Sequence, residues 1–131
     1  MVVVEGTIKG KARPRHGKSG VYTPTDTVSY ENWVKTCYQQ QDRRYLEGSI
    51  KATITAYYKV PKSYGKKRVQ AIREGLEHPQ KKPDIDNVGK IILDSLNKIA
   101  YADDSQVTEL VIKKIFTEDL ERVEFDLEVI R

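Results

Sequence analysis

The sequence predicts one α+β domain over residues 1–131, a mixed β-sheet with helices packed on it, in the order β-α-β-α-α-β-β. Three observations carry the prediction. Residues 49–60 alternate, with Ile50, Ala52, Ile54, Ala56 and Tyr58 on one face and Lys51, Thr53, Thr55, Tyr57 and Lys59 on the other. Residues 121–131 alternate again, Val123, Phe125, Leu127 and Val129 against Arg122, Glu124, Asp126 and Glu128. Between these strands Val88, Ile91, Ile92, Leu96 and Ile99 recur at three- and four-residue steps, the period of an amphipathic helix.

Residues 2–12 begin Val-rich and then alternate weakly, which reads as the first strand. The Arg13-Pro-Arg-His-Gly-Lys-Ser-Gly20 run reads as a loop, because Pro14 and two glycines break regular structure. Thr25 or Asp26 can cap a helix over 28–45 with Trp33, Val34, Cys37 and Tyr38 facing inward. Pro61 ends the 49–60 strand, and Ser63 is placed to cap a short basic helix reaching Glu77. Pro83 disfavours helix at Lys82, so Asp84 is the predicted cap of a helix over 85–97. Residues 107–117 are apolar on parts of both faces (Leu110, Val111, Ile112, Ile115, Phe116), the pattern of an interior strand.

With 38% apolar and 32% charged residues, the chain can bury a core without cross-links. Its one cysteine, Cys37, excludes an internal disulfide and fits a buried thiol in a reducing compartment. No apolar run is long enough for a membrane span, and the start lacks a basic leader, so a cytoplasmic location is expected. The net charge is +4, unevenly placed. Lys9, Lys11, Arg13, Arg15 and Lys18 form one basic tract; Lys59, Lys62, Lys66, Lys67, Arg68, Arg73, Lys81 and Lys82 form a second, broken only by Glu74 and Glu77. Two such tracts leading into acids suggest a polyanion held beside a metal site, with Lys11, Arg13, Arg15, Lys18, Lys66, Lys67, Arg68, Lys81 and Lys82 as candidate contacts to it.

The acids lie in residues 81–106. Asp86, Lys90, Asp94 and Asn97 follow at helical steps and form one polar ridge, which as a structural feature is a set of solvated pairs. Asp84 and Asp86 stand at the helix entrance, and Asp103 and Asp104 follow the Ile99-Ala-Tyr101 segment. If that segment turns back beside the helix start, several carboxylates converge, which needs a divalent cation or shared protons. Oxygen ligands without Cys or His suit Mg²⁺ or Mn²⁺ rather than zinc. The run from Asp84 to Ser95 opens like a calcium loop but has Val88 at the fifth place and Ser95 at the twelfth, where Glu is required. His16 and His78 read as surface loop residues, and there is no phosphate-cradling glycine loop, paired-cysteine zinc pattern or Ser–His or Cys–His nucleophile.

Lys82-Pro-Asp84-Ile-Asp86-Asn-Val-Gly-Lys90, Leu93-Asp-Ser-Leu-Asn97 and Ala100-Tyr-Ala-Asp103-Asp104-Ser-Gln106-Val107 resemble the signature of the RusA family, Holliday-junction resolvases of bacteria and their prophages. The resemblance extends more weakly to the first strand, the Arg-Pro-Arg loop and the Tyr22–Glu31 run. It implies a homodimeric, Mg²⁺-dependent endonuclease that cuts two strands of a four-way DNA junction symmetrically. By position Asp84, Asp86 and Asp104 match the family's metal-binding carboxylates, Lys90 its catalytic lysine, and Asp103 an assisting acid; Asp94 falls where the family also carries an acid. The chemistry is consistent: phosphodiester hydrolysis needs an attacking hydroxide and charge neutralisation, and paired incision needs two sites related by the junction's symmetry. Two other readings remain, a nucleic-acid-binding module whose acids are structural and a metal-dependent nuclease for other branched DNA.

Overall fold

Ile50–Lys59 is the strand on which the sheet is assembled. The computed structural model describes residues 1–11, 15–17, 20–22 and 25–131, and the side chains of residues 1–11 and 27–131. The elements are β1 (Val2–Glu5), β2 (Arg15–Gly17), β3 (Gly20–Tyr22), α1 (Thr25–Gln41), β4 (Ile50–Lys59), α2 (Lys66–Arg73), α3 (Ile85–Ser95), β5 (Val107–Thr117) and β6 (Arg122–Val129). The main sheet has the order β1-β6-β4-β5. β4 runs parallel to β5 and antiparallel to β6, and β6 is antiparallel to β1. The predicted α+β class and element order are therefore observed. A small β2–β3 hairpin is added where the Arg13–Gly20 run reads as loop.

The alternation in β4 does what its period requires. Ile50, Ala52, Ile54, Ala56 and Tyr58 are buried and meet Val123, Phe125 and Leu127 of β6 beneath α1 and α3. Val34, Cys37 and Tyr38 of α1 and Val88, Ile91, Ile92 and Leu96 of the α3 segment complete the core. Each large aliphatic side chain buried there stabilises the fold by about 1.5–3 kcal/mol. Cys37 is the buried thiol its setting predicts, and burial raises its pKa. Among the described residues no helix is long and apolar enough to cross a membrane.

Four local expectations fail for identifiable reasons. Trp33 is 43% exposed rather than core, its indole N–H donating to the Glu5 carbonyl at 2.8 Å. α1 ends at Gln41, where Arg43 takes a positive φ and the Tyr38 carbonyl accepts from both Asp42 and Arg43 amides. α2 starts after Gly65 rather than Ser63 and buries no residue. β5 is an edge strand, not an interior one, since among the described residues only β4 pairs with it. At its start Val107 and Glu109 pair with the adjacent Ile50 and Lys51, so Thr108 is a surplus residue in the ladder.

Candidate active site

α3 presents the predicted polar ridge. Its apolar stripe faces the core, which leaves Asp86, Lys90 and Asp94 on the flank toward β5. Helix and strand approach closely because position 89 is glycine; a Cβ there would collide with the Ile112 side chain. Between the two elements lies a cleft of about 540 Å³. Asp86, Lys90, Asp94 and Asp104 line it, with Leu93, Val107, Leu110 and Ile112 as apolar wall.

Asp104 reaches the cleft through a tightly fixed turn. Asp103 is extended, and its carboxylate accepts from the Ser105 amide at 3.1 Å. The Gln106 side-chain oxygen accepts from the amides of Ala102 (2.9 Å) and Asp103 (3.2 Å). Its nitrogen donates to the carbonyls of Leu46 (3.2 Å) and Gly48 (3.1 Å). The Asp104 amide donates to Asn97 Oδ1 at 2.7 Å, joining the end of the ridge to the turn. Below, the buried Tyr101 hydroxyl donates to the Leu93 carbonyl at 2.7 Å, and burial drives its pKa upward.

This places Asp104 against Asp94. The hydrogen bond with Asp94, with burial and like-charge repulsion, raises the Asp104 pKa above the ordinary carboxylate range. Lys11 supplies the local cation: its ammonium lies 3.0 Å from Glu31 and 3.4 Å from Asp94. Partial burial pulls the Lys11 pKa down, but Glu31 and Asp94 outweigh this and hold it above the usual lysine value. Lys11 is delivered by a close backbone approach. Gly10 sits where a Cβ would fall 2.7 Å from Pro83 Cβ, and the Lys11 amide donates to the Asn87 carbonyl at 3.1 Å.

The other candidate acids are placed differently. Asp84 occupies the cap position of α3, but its side chain makes no cap hydrogen bond. It lines an adjoining cleft of about 330 Å³ with Lys9, Lys11, Lys82, Pro83 and Asn87. Asp103 is spent on its own turn, where the Ser105 hydrogen bond lowers its pKa, and is not among the residues lining the main cleft. Among the described residues no group of three or more His, Cys, Asp or Glu side chains is disposed to hold a metal ion. The acids thus meet in part: Asp86, Asp94 and Asp104 share a cleft, with Asp84 next door.

Of the candidate DNA contacts, Arg13 and Lys18 lie outside the described residues, and Arg15 falls in β2. Lys11 is engaged with Glu31 and Asp94 rather than free on the surface. Arg68 pairs with Glu77 at 2.9 Å and lies 3.6 Å over the Tyr64 ring. Lys66, Lys67, Lys81 and Lys82 are exposed. His78 lines a separate pocket with Tyr64 and Arg68, away from the acids. Sequence reasoning passed over Glu31 and the anchoring role of Gln106; both stand in runs that carry the family resemblance, which was the available signal.

A family model described as Endodeoxyribonuclease RusA matches residues 5–128, a span that holds every cleft residue named above. The chain belongs to the RusA family. A Bacillus subtilis (strain 168) protein named "Uncharacterized protein YqaN" is 32% identical over 120 residues, covering 89% of this chain and 83% of that protein. Membership in the RusA family points to a nuclease acting on junction DNA.

Proposed function

We propose that this chain is a crossover-junction endodeoxyribonuclease that resolves four-way DNA junctions by paired, symmetric phosphodiester hydrolysis, acting with Mg²⁺ or Mn²⁺ and as a homodimer. The observation that carries the reading is the single cleft shared by Asp86, Lys90, Asp94 and Asp104 within a RusA-family chain. The donor set fits a hard cation, because it is made of carboxylate oxygens alone. The raised Asp104 pKa records repulsion with Asp94, which a divalent ion relieves. No three of these acids are disposed to hold an ion as they stand, so binding by Asp86, Asp94 and Asp104, with Asp84 from the adjoining cleft, would require their side chains to move toward one another. Asp103, through its capping hydrogen bonds, sets the angle of Asp104 and stands second to these as a ligand. When bound, the metal supplies a hydroxide nucleophile at neutral pH and neutralises phosphoryl charge.

The chain's own groups do the remaining work. Lys90 stands one turn from both Asp86 and Asp94, where its ammonium can meet the scissile phosphate or orient the attacking water. Lys66, Lys67, Lys81 and Lys82, with Arg13, Arg15 and Lys18, are proposed to grip the junction arms. Arg68 contributes to that face while paired to Glu77.

Incubating the protein with a synthetic four-way junction, a flap and a linear duplex, in Mg²⁺ or EDTA, tests the proposal. Preferential, symmetric cutting of the junction that disappears in EDTA is expected. Lys90→Ala should lower the rate about 10²-fold or more, and Asp86→Asn should abolish cutting while leaving junction binding intact. Equal cutting of all substrates would identify a general branched-DNA nuclease. Binding without cutting would make the acids structural and the chain a nucleic-acid-binding module.

A further inference from the structure

Where α2 meets the end of β5, the structure leaves a recess instead of a core. α2 itself buries no residue. Its segment is tied to β5 by the Arg73–Glu118 ion pair at 2.8 Å and by Tyr64, whose ring meets Phe116 edge to face at 6.1 Å. Beside that aromatic pair lies a pocket of about 460 Å³, lined otherwise by Arg68 and residues 77–81. Its volume falls in the range of small-ligand sites.

Arg68 gives this pocket its chemistry. The guanidinium lies 3.6 Å over the Tyr64 ring, and its Nε donates to both Glu77 carboxylate oxygens, at 3.0 and 2.9 Å. An exposed ion pair adds little to stability. What the stack and the pair achieve together is to fix the plane of the cation while its side chain stays 52% exposed. Aromatic rings and guanidinium planes are the platforms on which unpaired bases stack. His78 and Gln80, both exposed, add donors and acceptors at the same pocket.

The pocket shares a sheet face with the acid-lined cleft. Leu110, Ile112, Lys114 and Phe116 pair in register with Ala52, Ile54, Ala56 and Tyr58, the buried side of β4. Leu110 and Ile112 wall the acids, and Phe116 walls the pocket, roughly 13 Å beyond Ile112 along the strand. Lys114 comes between them on β5. Its ammonium and that of Lys81 lie 5.2 and 5.6 Å from the Tyr58 ring centre, with no carboxylate in ion-pair reach among the described residues. We propose that this pocket is a nucleobase site, in which an unstacked base lies against the Arg68–Tyr64 platform. Lys81 and Lys114 meet the phosphates that lead from it toward the acids. The inference deepens the resolvase reading and rests on it for the source of the base, a strand opened at the junction; the pocket itself rests on its own residues.

Binding of two single strands of equal length, measured by fluorescence anisotropy in EDTA, tests it. One strand carries ordinary bases, and the other has the same phosphates with every base removed. The wild type should bind the first about tenfold more tightly, the scale of one stacked base. Arg68→Lys keeps the charge and removes the plane; Tyr64→Leu keeps an apolar contact for Phe116 and removes the ring. Each should bring the ratio of the two affinities close to one. Arg68 is exposed, so its variant reads the pocket without loss of folding. Equal binding of both strands by the wild type, or a ratio indifferent to either substitution, would overturn the proposal. Junction cleavage in Mg²⁺ is read separately. A base-dependent ratio that follows the two substitutions, without cutting, leaves the pocket standing apart from the resolvase reading; cutting with a ratio of one does the reverse.

Discussion

Replacing Lys11 by Met removes the only cation in contact with the Asp94 side of the acid pair among the described residues. Lys11, Glu31 and Asp94 are 21%, 17% and 23% exposed, between a surface pair and a buried one. Exposed pairs contribute up to about 1 kcal/mol, and breaking a buried one costs about 3–5 kcal/mol. The variant leaves Glu31, Asp94 and Asp104 without compensation, which at this exposure and after solvent screening costs about 2 kcal/mol. For a chain of this size that corresponds to a melting temperature lower by roughly 6–10 °C. The sign with pH follows from the raised Lys11 pKa. The stabilisation is fully present below the ordinary lysine value and is lost only as pH rises through the raised folded value. From pH 6 to 9 the gap between wild type and variant should therefore be flat. It should narrow in acid, as the carboxylates gain protons. Thermal denaturation in EDTA, followed by circular dichroism from pH 3 to 9, reads this directly. A melting temperature unchanged within a degree at pH 7 would refute the argument that Lys11 neutralises the cluster.

Three further outcomes follow from the same geometry. Asp104 has a raised pKa, so its ionised form destabilises the fold above the ordinary aspartate value, increasingly until the raised value is passed. Asp104→Asn should melt above wild type at pH 8 in EDTA, lose that advantage near pH 3, and fail to cut junctions. Gln106→Leu removes bonds to Ala102, Asp103, Leu46 and Gly48. A cost of about 2–3 kcal/mol is expected in urea titration, with a fall in cleavage rate larger than any fall in junction binding. Gly10→Val drives a branched side chain into Pro83 and Asn87; it should cost about 1–3 kcal/mol and abolish any additional effect of Lys11→Met, which a double-mutant cycle measures.

Much of this architecture is written locally. β4 and β6 are legible because a period of two needs no knowledge of neighbours, and α3 because its apolar stripe is as wide as the face it buries. The acid ridge is legible for the same reason, since residues four apart share a helix flank wherever the helix lies. What escapes is set by distant parts of the chain. β5 looks interior because Leu110 and Val111 are apolar on opposite faces, yet strand order leaves it at the edge. Lys11 reads as one cation in a basic tract; its place at Asp94 follows from the fit of Gly10 on Pro83, seventy-three residues on. Asp84 has the right residue type for a cap, but the helix start does not use it, which leaves the carboxylate available to the adjoining cleft.

Thr108 gives the edge strand one residue more than its neighbour can match. Val107 still stands opposite Ile50 and Glu109 opposite Lys51, so the surplus residue is absorbed as a local bend and the side chains on either side keep their faces. The acid turn at 103–106 and Val107 lie before that bend, and Leu110 and Ile112 of the cleft wall lie after it. Deleting Thr108 would therefore leave every pair of the ladder in place and straighten the strand, tilting the acid turn relative to Leu110 and Ile112 without turning a side chain to the other face. The angle between the two halves of the cleft is set at a spacer with no acid or base of its own.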